Sequence, residues 1–548
     1  MAFVAFVALD ACSVDETGLA GASPALPIDC SAPVKLSSVT VQGFRDKSAC
    51  AYKGIAFARQ PVGDLRFRAP RPLAGNQGRL LAGGFGADCV QAPTFRDVPI
   101  GEACLYLNVY IPGETADGAL AKNTPVMVFF YGGGFVSGGA SWAFYDGEPL
   151  TTHGVIVVTV NYRLGPFGYL APSAVTDADG AKLAGNLGLR DQTQALRWVQ
   201  ENIAGFGGDP TRVTIFGESA GAWSVCDLMA STETAGLFHR AIMESGECMV
   251  GSRADTAAKA DQWIAKTGCP VTGPTAMACL RALDASDLPS KYPYSMGGGM
   301  VPNVDGTVLP DQPITRLRAG VARKIPLIAG SNREETEGLR LFPSQAHYVQ
   351  QTFPEFWAQA AHALTPSQID RVRDLYGDTS YTDPMALITA MLDDIIFACP
   401  AYDANEAQVA RGAPAWRYRF SMGTGENVIE PFTGSSHGIE IPYVFGDVGL
   451  LSILYPNDAA LRRMHELSER AQRYWSRFAA TGDPNGPGDP HWPGFGESHS
   501  RMELSVDAHV TRGLDDGRCA FWGAVAPIGL GERFDFIKQL VGFNPIDD

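Results

Sequence analysis

The sequence feature that most constrains the fold is the stretch at residues 213–225, Val-Thr-Ile-Phe-Gly-Glu-Ser-Ala-Gly-Ala-Trp-Ser-Val. Its first four residues are apolar or β-branched and predict a short buried strand, and residues 222–229 predict the start of a helix. Glycines two residues on either side of Ser219 allow the strand and the helix to approach each other closely. The stretch therefore predicts that Ser219 is a nucleophile at a sharp turn, with helix-start N–H groups, including that of Ala220, ready to receive a negative oxygen.

The five-residue pattern G-x-S-x-G is not specific on its own, because residues 434–438 fit it as well. That second copy follows a polar, proline-containing stretch at 426–433 instead of a buried strand. We therefore interpret it as a glycine-lined loop, in which Ser436 is not a second nucleophile.

Predicted strands and helices alternate along the chain. Apolar segments predict strands covered on both faces at 125–131 and 155–162, and further strands are predicted at 239–244, 325–329 and 416–420. An amphipathic helix is predicted at 192–203, and a long helix with a charged face at 461–480. Strand, helix, strand succession implies parallel pairing, so the predicted class is α/β, with a large, mostly parallel central sheet and long insertions.

Composition limits the domain count and the class of partner. No long linker, charge block or internal repeat divides the 548 residues, so we expect one domain over 29–548 after a signal remnant or disordered tail at 1–28. The formal net charge of −16 argues against nucleic-acid binding, because it repels a polyanion. No apolar run reaches the roughly 20 residues that a transmembrane segment needs. The oligomeric state is left open.

The N-terminus and the cysteines together favour export. Residues 2–9 are apolar and predict a signal-peptide remnant, although no Lys or Arg precedes Lys35; lipid attachment at Cys12 is the alternative. Eleven cysteines without a C-x-x-C or a zinc-type spacing predict disulfides and no metal site. Cys30 and Cys50 flank two predicted strands, and whether they pair is left open. We expect a secreted or periplasmic protein.

Two further loops carry the groups that a serine nucleophile needs, a base for its proton and an acid to orient that base. Carboxylates cluster at 334–337, and His437 follows the strand at 416–420. The chain order serine, acid, histidine is that of the α/β-hydrolase fold. Three glycines at 132–134 fit a second anion-binding wall, although in isolation a flexible turn is the simpler interpretation.

The chain resembles the type-B carboxylesterases, the α/β-hydrolase family that includes cholinesterases and fungal lipases, over nearly all of residues 35–525. The segments that carry the resemblance are KGIAF at 53–57, CLYLNV at 104–109, NYRLG at 161–165, GNLGLRDQ at 185–192, FGGDP at 206–210, GESAG at 217–221 and HGIEIPYVF at 437–445. The resemblance implies a serine carboxylic-ester hydrolase that acts through an acyl-enzyme and needs no cofactor.

The resemblance also implies roles for particular residues. Ser219 is expected to be the nucleophile and His437 the general base. The N–H groups expected to hold the oxyanion belong to Gly133, Gly134 and Ala220, and the supporting side chains near the triad are those of Glu218 and Ser224. The family usually has Asp-Glu-Gly at the acid loop, whereas this chain has Glu-Glu-Thr-Glu-Gly at 334–338. Counting from Gly330 selects Glu335 and counting back from Gly338 selects Glu337; we favour Glu335, because the strand end fixes the geometry.

The same resemblance implies three disulfides. The family's three loop-closing disulfides correspond to Cys89–Cys104, Cys269–Cys279 and Cys399–Cys519. Cys12, Cys226 and Cys248 have no family partner, and we interpret Cys226 as a buried thiol. The eight histidines other than His437 lack a motif and are interpreted as surface or structural groups.

Two alternatives to a general esterase remain. Catalytically silent adhesion or scaffold proteins share this fold, but this chain keeps both the serine and the histidine. A specialist for lipid, feruloyl, polyester or multi-carboxylate toxin esters is the second alternative. The expected substrate is a small ester with an apolar acyl or alcohol part. Four aromatic residues are candidates for its pocket and equally for core packing: Phe135, Trp223, Phe342 and Phe432.

Overall fold

The structure of the protein is a computed structural model, and it describes residues 26–27, 29–93, 98–115, 122–291, 299–338, 351–377, 380–381, 383–422, 434–449, 457–513 and 515–543. Within these residues the central element is an 11-stranded mixed sheet. In chain order its strands are β1 Phe44–Asp46, β2 Ala49–Ala56, β3 Tyr106–Pro112, β4 Thr124–Phe130, β5 Ile156–Val160, β6 Gly208–Glu218, β7 Arg240–Glu244, β8 Leu327–Asn332, β9 Ala415–Phe420, β10 Ser500–Leu504 and β11 His509–Arg512.

The spatial order of the strands is β11-β10-β9-β8-β7-β6-β4-β5-β3-β2-β1. Neighbouring strands from β5 through β4, β6, β7, β8 and β9 to β10 pair in parallel, and the pairs at both outer ends are antiparallel. Every residue of β4 and β5 is buried, as expected for parallel strands covered on both faces. The predicted α/β fold with a large, mostly parallel sheet is confirmed.

Helices of eight or more residues connect and cover these strands. They are α1 Leu187–Asn202, α2 Ala220–Ala230, α3 Arg253–Lys266, α4 Gly273–Ala282, α5 Phe353–Ala360, α6 Pro366–Tyr376, α7 Pro384–Asp393, α8 Cys399–Val409, α9 Asp458–Thr481, α10 Asp516–Val525 and α11 Leu530–Val541. Shorter helices are Glu148–Thr151, Gly165–Tyr169, Leu288–Lys291, Pro313–Arg318 and Ile441–Phe445, and short strands outside the central sheet include Val34–Lys35, Thr40–Gln42 and Arg79–Leu81.

Helix α9 shows how the sequence determines a helix and its limits. The Asn457 side chain accepts hydrogen bonds from the N–H groups of Ala459 and Ala460, which caps the N-terminus. Gly482 adopts a left-handed conformation (φ 85°) and ends the helix. Apolar residues on one face are buried against the sheet, which confirms the charged-faced helix predicted at 461–480.

A second long helical stretch, Pro384–Val409, is the one candidate membrane span among the residues that the structure describes. Its most apolar window is 72% buried inside the fold, which is typical of a core helix in a globular protein. A turn of π-helix, Asp394–Ala398, separates α7 from α8 within it.

Five disulfides join ten of the eleven cysteines: Cys30–Cys50, Cys89–Cys104, Cys226–Cys248, Cys269–Cys279 and Cys399–Cys519. The interpretation of Cys226 as a free buried thiol is wrong. Cys226 lies on α2 and Cys248 on the loop after β7, and α2 packs beside that loop so that the two Cα atoms lie 5.4 Å apart. Cys12 lies outside the described residues.

The parallel strands position the candidate site. Loops that follow β4, β6, β8 and β9 carry the glycines at 132–134, Ser219, the acid loop and His437 respectively. Because the carboxyl ends of parallel strands share one edge of the sheet, these four loops meet there, as ligand sites in α/β folds do.

Candidate active site

Ser219 occupies a strained turn between β6 and α2. Its backbone angles are φ 55° and ψ −126°, in a region that a residue with a side chain rarely adopts. Two backbone hydrogen bonds hold the turn: the Ser219 N–H donates to the Glu244 carbonyl at 2.9 Å, and the Trp223 N–H donates to the Ser219 carbonyl at 3.0 Å. This is the strand, turn, helix arrangement that the sequence predicts.

The glycines beside Ser219 are required by close backbone approach. A Cβ atom added at Gly221 would lie 1.9 Å from the Phe130 carbonyl oxygen, and one at Gly217 would lie 2.5 Å from the same atom. Strand β4 therefore runs directly against the turn, and no larger residue fits at either position without moving it.

The acid loop brings Glu335 to the imidazole of His437. Glu335 Oε2 lies 2.7 Å from His437 Nδ1, and Glu335 Oε1 accepts the Asn332 N–H at 2.7 Å. The Glu335 side chain is fully buried. Glu337 instead accepts a hydrogen bond from the Thr389 hydroxyl at 3.0 Å. Of the two carboxylates left open by counting, Glu335 is the one that contacts the histidine.

A second carboxylate lies on the other side of the imidazole. Glu218 Oε1 is 3.1 Å from His437 Nε2, an ion-pair distance without hydrogen-bond alignment, so Nε2 has no hydrogen-bond partner among the described residues. Burial alone lowers the pKa of His437, but the charges of Glu218 and Glu335 outweigh burial and raise this pKa to about 9. Burial also raises the pKa of Glu218 to about 7, against the opposing effect of His437.

Two further buried glutamates extend this acidic cluster, and the sequence reasoning missed both. Glu440 accepts hydrogen bonds from Asn332 Nδ2 at 2.5 Å and from the Ser245 hydroxyl at 3.3 Å. Burial, reinforced by the charges of Glu218 and Glu335, raises the pKa of Glu440 to about 8. Glu244 accepts a hydrogen bond from Trp475 Nε1 at 2.8 Å. The position of Glu440 three residues after His437, within the HGIE segment, was the available signal.

The glycine loop after β4 lies against the turn at Ser219. A Cβ atom at Gly132 would lie 2.9 Å from Ser219 Cβ, and one at Gly133 would lie 2.2 Å from the Ser137 carbonyl oxygen. Gly133 and Gly134 have positive φ angles of 106° and 63°. The absence of a side chain at Gly132 lets the loop approach Ser219 closely, and its absence at Gly133 lets the loop fold tightly on Ser137.

Ser224 and the pocket candidates have more indirect positions. The Ser224 hydroxyl donates to the Ala220 carbonyl at 2.9 Å and accepts from Gln192 Nε2 at 2.9 Å, so it ties the first turn of α2 to α1. Phe135 and Trp223 are buried, with ring centroids 5.9 Å apart. Phe342 and Phe432 lie outside the described residues. Within the described ranges, no group of three or more His, Cys, Asp or Glu side chains could hold a metal ion.

Comparisons with known proteins show the family of the chain. The family profile described as "Carboxylesterase family" matches residues 31–522, so the chain belongs to the carboxylesterase family and is a carboxylic-ester hydrolase. Relatives include the para-nitrobenzyl esterase of Bacillus subtilis (strain 168), 34% identical over 86% of this chain and 94% of the relative. The cocaine esterase of Homo sapiens is 35% identical over 88% of each chain.

Solved structures give the same result for the fold. A PNB esterase structure matches 90% of this chain and 100% of its own, with 31% identity and a TM-score of 0.75. A thermophilic PNB esterase matches 90% of this chain with 30% identity and a TM-score of 0.76. The fold is accordingly the α/β-hydrolase fold.

Proposed function

We propose that this carboxylesterase acts through an acyl-enzyme, with Ser219 as nucleophile, His437 as general base and Glu335 as the acid that orients the base. The observation that carries the proposal is the 2.7 Å contact between His437 Nδ1 and Glu335 Oε2. This contact engages Nδ1 as a donor and leaves Nε2 as the proton acceptor. Ser219 lies on the neighbouring loop, buried at the strained turn that joins the end of β6 to α2.

The chemical steps follow from these positions. His437 Nε2 takes the proton of the Ser219 hydroxyl as its oxygen attacks the ester carbonyl. The N–H groups of Gly133, Gly134 and Ala220 then hold the negative oxygen of the tetrahedral intermediate, and the loss of one such donor typically costs about 2.7–4 kcal/mol. His437 protonates the departing alcohol, and water repeats the sequence on the acyl-enzyme to release the acid.

The proposed substrates are small esters with an apolar acyl or alcohol part. The relative from Bacillus subtilis is named for a para-nitrobenzyl ester, and Phe135 and Trp223 place aromatic rings next to the glycine loop and the nucleophile turn. We also propose that the protein is secreted or periplasmic, because five disulfides suit an oxidising compartment.

Substitution of the nucleophile tests the mechanism. Ser219→Ala should lower kcat for p-nitrophenyl acetate by roughly 10⁴-fold or more, as removal of a triad member does in other serine hydrolases. Ser436→Ala is the matched control, because Ser436 occupies the second G-x-S-x-G pattern, and its kcat should stay within about threefold of wild type. Wild-type turnover in Ser219→Ala would refute the mechanism. A series of p-nitrophenyl esters of rising acyl length then measures the acyl preference.

A further inference from the structure

The helical stretch that follows the acid loop is interrupted by an irregular turn. Between α7 and α8, residues Asp394–Ala398 form a π-helix, and the Cys399 N–H donates to the Asp394 carbonyl five residues earlier. Such turns make up well under 1% of residues in globular proteins and occur frequently at functional sites. The contacts of this turn indicate what it does in the fold.

One contact of the turn is with the general base. The Phe397 ring packs on the His437 imidazole, with ring centroids 4.7 Å apart and the ring planes inclined at 38°. Phe397 is only 3% exposed. Glu335 and Glu218 approach the two ring nitrogens of His437 at the edge of the imidazole, whereas Phe397 covers its face.

The same helix also holds the acid loop. Asp393, the last residue of α7, accepts hydrogen bonds from the Thr336 N–H at 2.7 Å and from the Thr336 hydroxyl at 2.8 Å. Thr336 directly follows Glu335, and Thr389 donates to Glu337 one turn earlier. Asp393 and Phe397 are four residues apart, a spacing that places side chains on the same face of a helix. One helix face therefore contacts both the acid loop and the base.

Buried polar groups from other elements also contact the turn. Arg533 Nη1 donates to the Ile395 carbonyl and Arg417 Nη2 to the Ala398 carbonyl, each at 3.0 Å. Both arginines are buried, and the Tyr376 hydroxyl donates to Asp394 Oδ2 at 2.6 Å. Contacts from three separate elements thus fix the irregular turn against the site.

We propose that the π-helical turn Asp394–Ala398 positions the catalytic base: Phe397 holds the His437 imidazole in place against Glu335, while Asp393 fixes the acid loop through Thr336. The inference rests on the proposed function, because it takes His437 as the base and Glu335 as the acid. Phe397 and Asp393 are positioning residues that act through these two groups. A shift of the imidazole by about 1 Å is enough to cost roughly 10²-fold in rate.

Substitutions at Phe397 separate positioning from simple packing. Phe397→Leu keeps an apolar side chain but removes the flat ring, so kcat for p-nitrophenyl acetate should fall at least tenfold while KM stays within about twofold. Phe397→Tyr keeps the ring and should restore kcat to within about threefold of wild type. Phe206→Leu is the matched control, because Phe206 is a buried core phenylalanine that packs on Tyr52, and it should lower the melting temperature without changing kcat.

Substitutions at Asp393 give an independent measurement. Burial raises the pKa of Asp393 well above its ordinary value. Asparagine has nearly the same shape and keeps an oxygen acceptor for Thr336, so Asp393→Asn is the conservative variant. Asp393→Ala should lower kcat about tenfold with little change in KM, and Asp393→Asn should keep kcat within about threefold of wild type.

The outcomes distinguish this inference from the mechanism on which it rests. Wild-type kcat in both Phe397→Leu and Asp393→Ala, or an equal loss of kcat in Phe397→Leu and Phe206→Leu, would overturn the positioning role and leave the Ser219 mechanism standing. Wild-type turnover in Ser219→Ala would instead overturn the proposed function itself.

Discussion

At the scale of single residues, the acid loop allows a direct comparison of two carboxylates. In the proposed mechanism Glu335→Gln keeps the shape of the side chain but removes the charge that orients and stabilises the imidazolium, so kcat should fall by roughly 10²–10⁴-fold. Glu337→Gln keeps an acceptor for Thr389 and should change kcat less than about threefold. The measurement is steady-state hydrolysis of p-nitrophenyl acetate by both variants. A larger loss in Glu337→Gln would reverse the assignment.

The charge of Glu218 should be visible in the pH dependence of the reaction. In the proposed mechanism His437 must be neutral to accept a proton, and its pKa, raised to about 9, places the acid limb of kcat/KM at alkaline pH. The negative charge of Glu218 lies 3.1 Å from His437 Nε2 and stabilises the imidazolium, and Glu218→Gln removes this charge. The pKa of His437 should therefore fall, and the acid limb should move to lower pH.

Profiles of kcat/KM between pH 5 and 10 check this shift. Glu440→Gln is the matched control, because Glu440 is the weakest of the charges that raise the pKa of His437, and it should shift the limb in the same direction by a smaller amount. A limb that moves to higher pH in Glu218→Gln would contradict this account of the histidine.

At the scale of elements, the close approach of β4 to the turn at Ser219 predicts the effect of one added methyl group. Gly221→Ala places a Cβ atom 1.9 Å from the Phe130 carbonyl oxygen, so strand or turn must move. Such overpacking costs about 1–3 kcal/mol of stability, and we expect kcat to fall at least 100-fold because Ser219 moves with the turn.

A matched glycine lies on α10, where an added Cβ at the exposed Gly523 meets nothing within 4 Å. Gly523→Ala should leave kcat unchanged and raise the free energy of unfolding by roughly 0.5–1 kcal/mol, since alanine is the better helix former. Denaturant unfolding and kcat measured for both variants make the comparison. Equal activity in the two variants would show that the close approach at Gly221 is dispensable.

The strands and helices that the sequence predicts are those that bury apolar side chains. Strands β4 to β9 and helices α1, α2 and α9 follow from continuous apolar runs or one-sided periodicity. Strand β10 is not predicted, because charged residues interrupt its apolar pattern. Its buried Arg501 and Glu503 pair with each other, and Arg501 also pairs with Asp515. The π-helical turn cannot be predicted in this way either. A helix that is apolar and buried almost all round has no polar face in its sequence, so no shift of such a face marks the turn.

At the scale of the whole molecule, the parallel sheet explains why the candidate site was more predictable than its surroundings. Chain order alone assigns Ser219, the acid loop and His437 to three strand ends, which share one edge. The Cys226–Cys248 pair depends on how α2 packs beside the loop after β7, and a local pattern carries no such information. The choice between Glu335 and Glu337 required the same tertiary information, because counting residues from Gly330 selects Glu335 whereas counting back from Gly338 selects Glu337.

The disulfides also act on the whole molecule, and loop length predicts how strongly. Cys399–Cys519 closes a separation of 120 residues and Cys269–Cys279 one of only 10. In the chain-entropy account these loops correspond to about 5 and about 3 kcal/mol respectively. The double variant Cys399→Ala/Cys519→Ala should therefore lose about 2 kcal/mol more unfolding free energy than Cys269→Ala/Cys279→Ala.

Chemical denaturation of both double variants, with wild type as reference, measures this difference, and the shorter loop serves as the control for the loss of two sulfur atoms. The Cys399–Cys519 disulfide also joins the first residue of α8 to α10, immediately after the π-helical turn. Loss of Cys399–Cys519 should therefore lower kcat as well as stability, whereas loss of Cys269–Cys279 should lower stability alone. Equal unfolding free energies in the two variants would show that strain or residual structure in the unfolded chain, and not loop length, determines what each disulfide contributes.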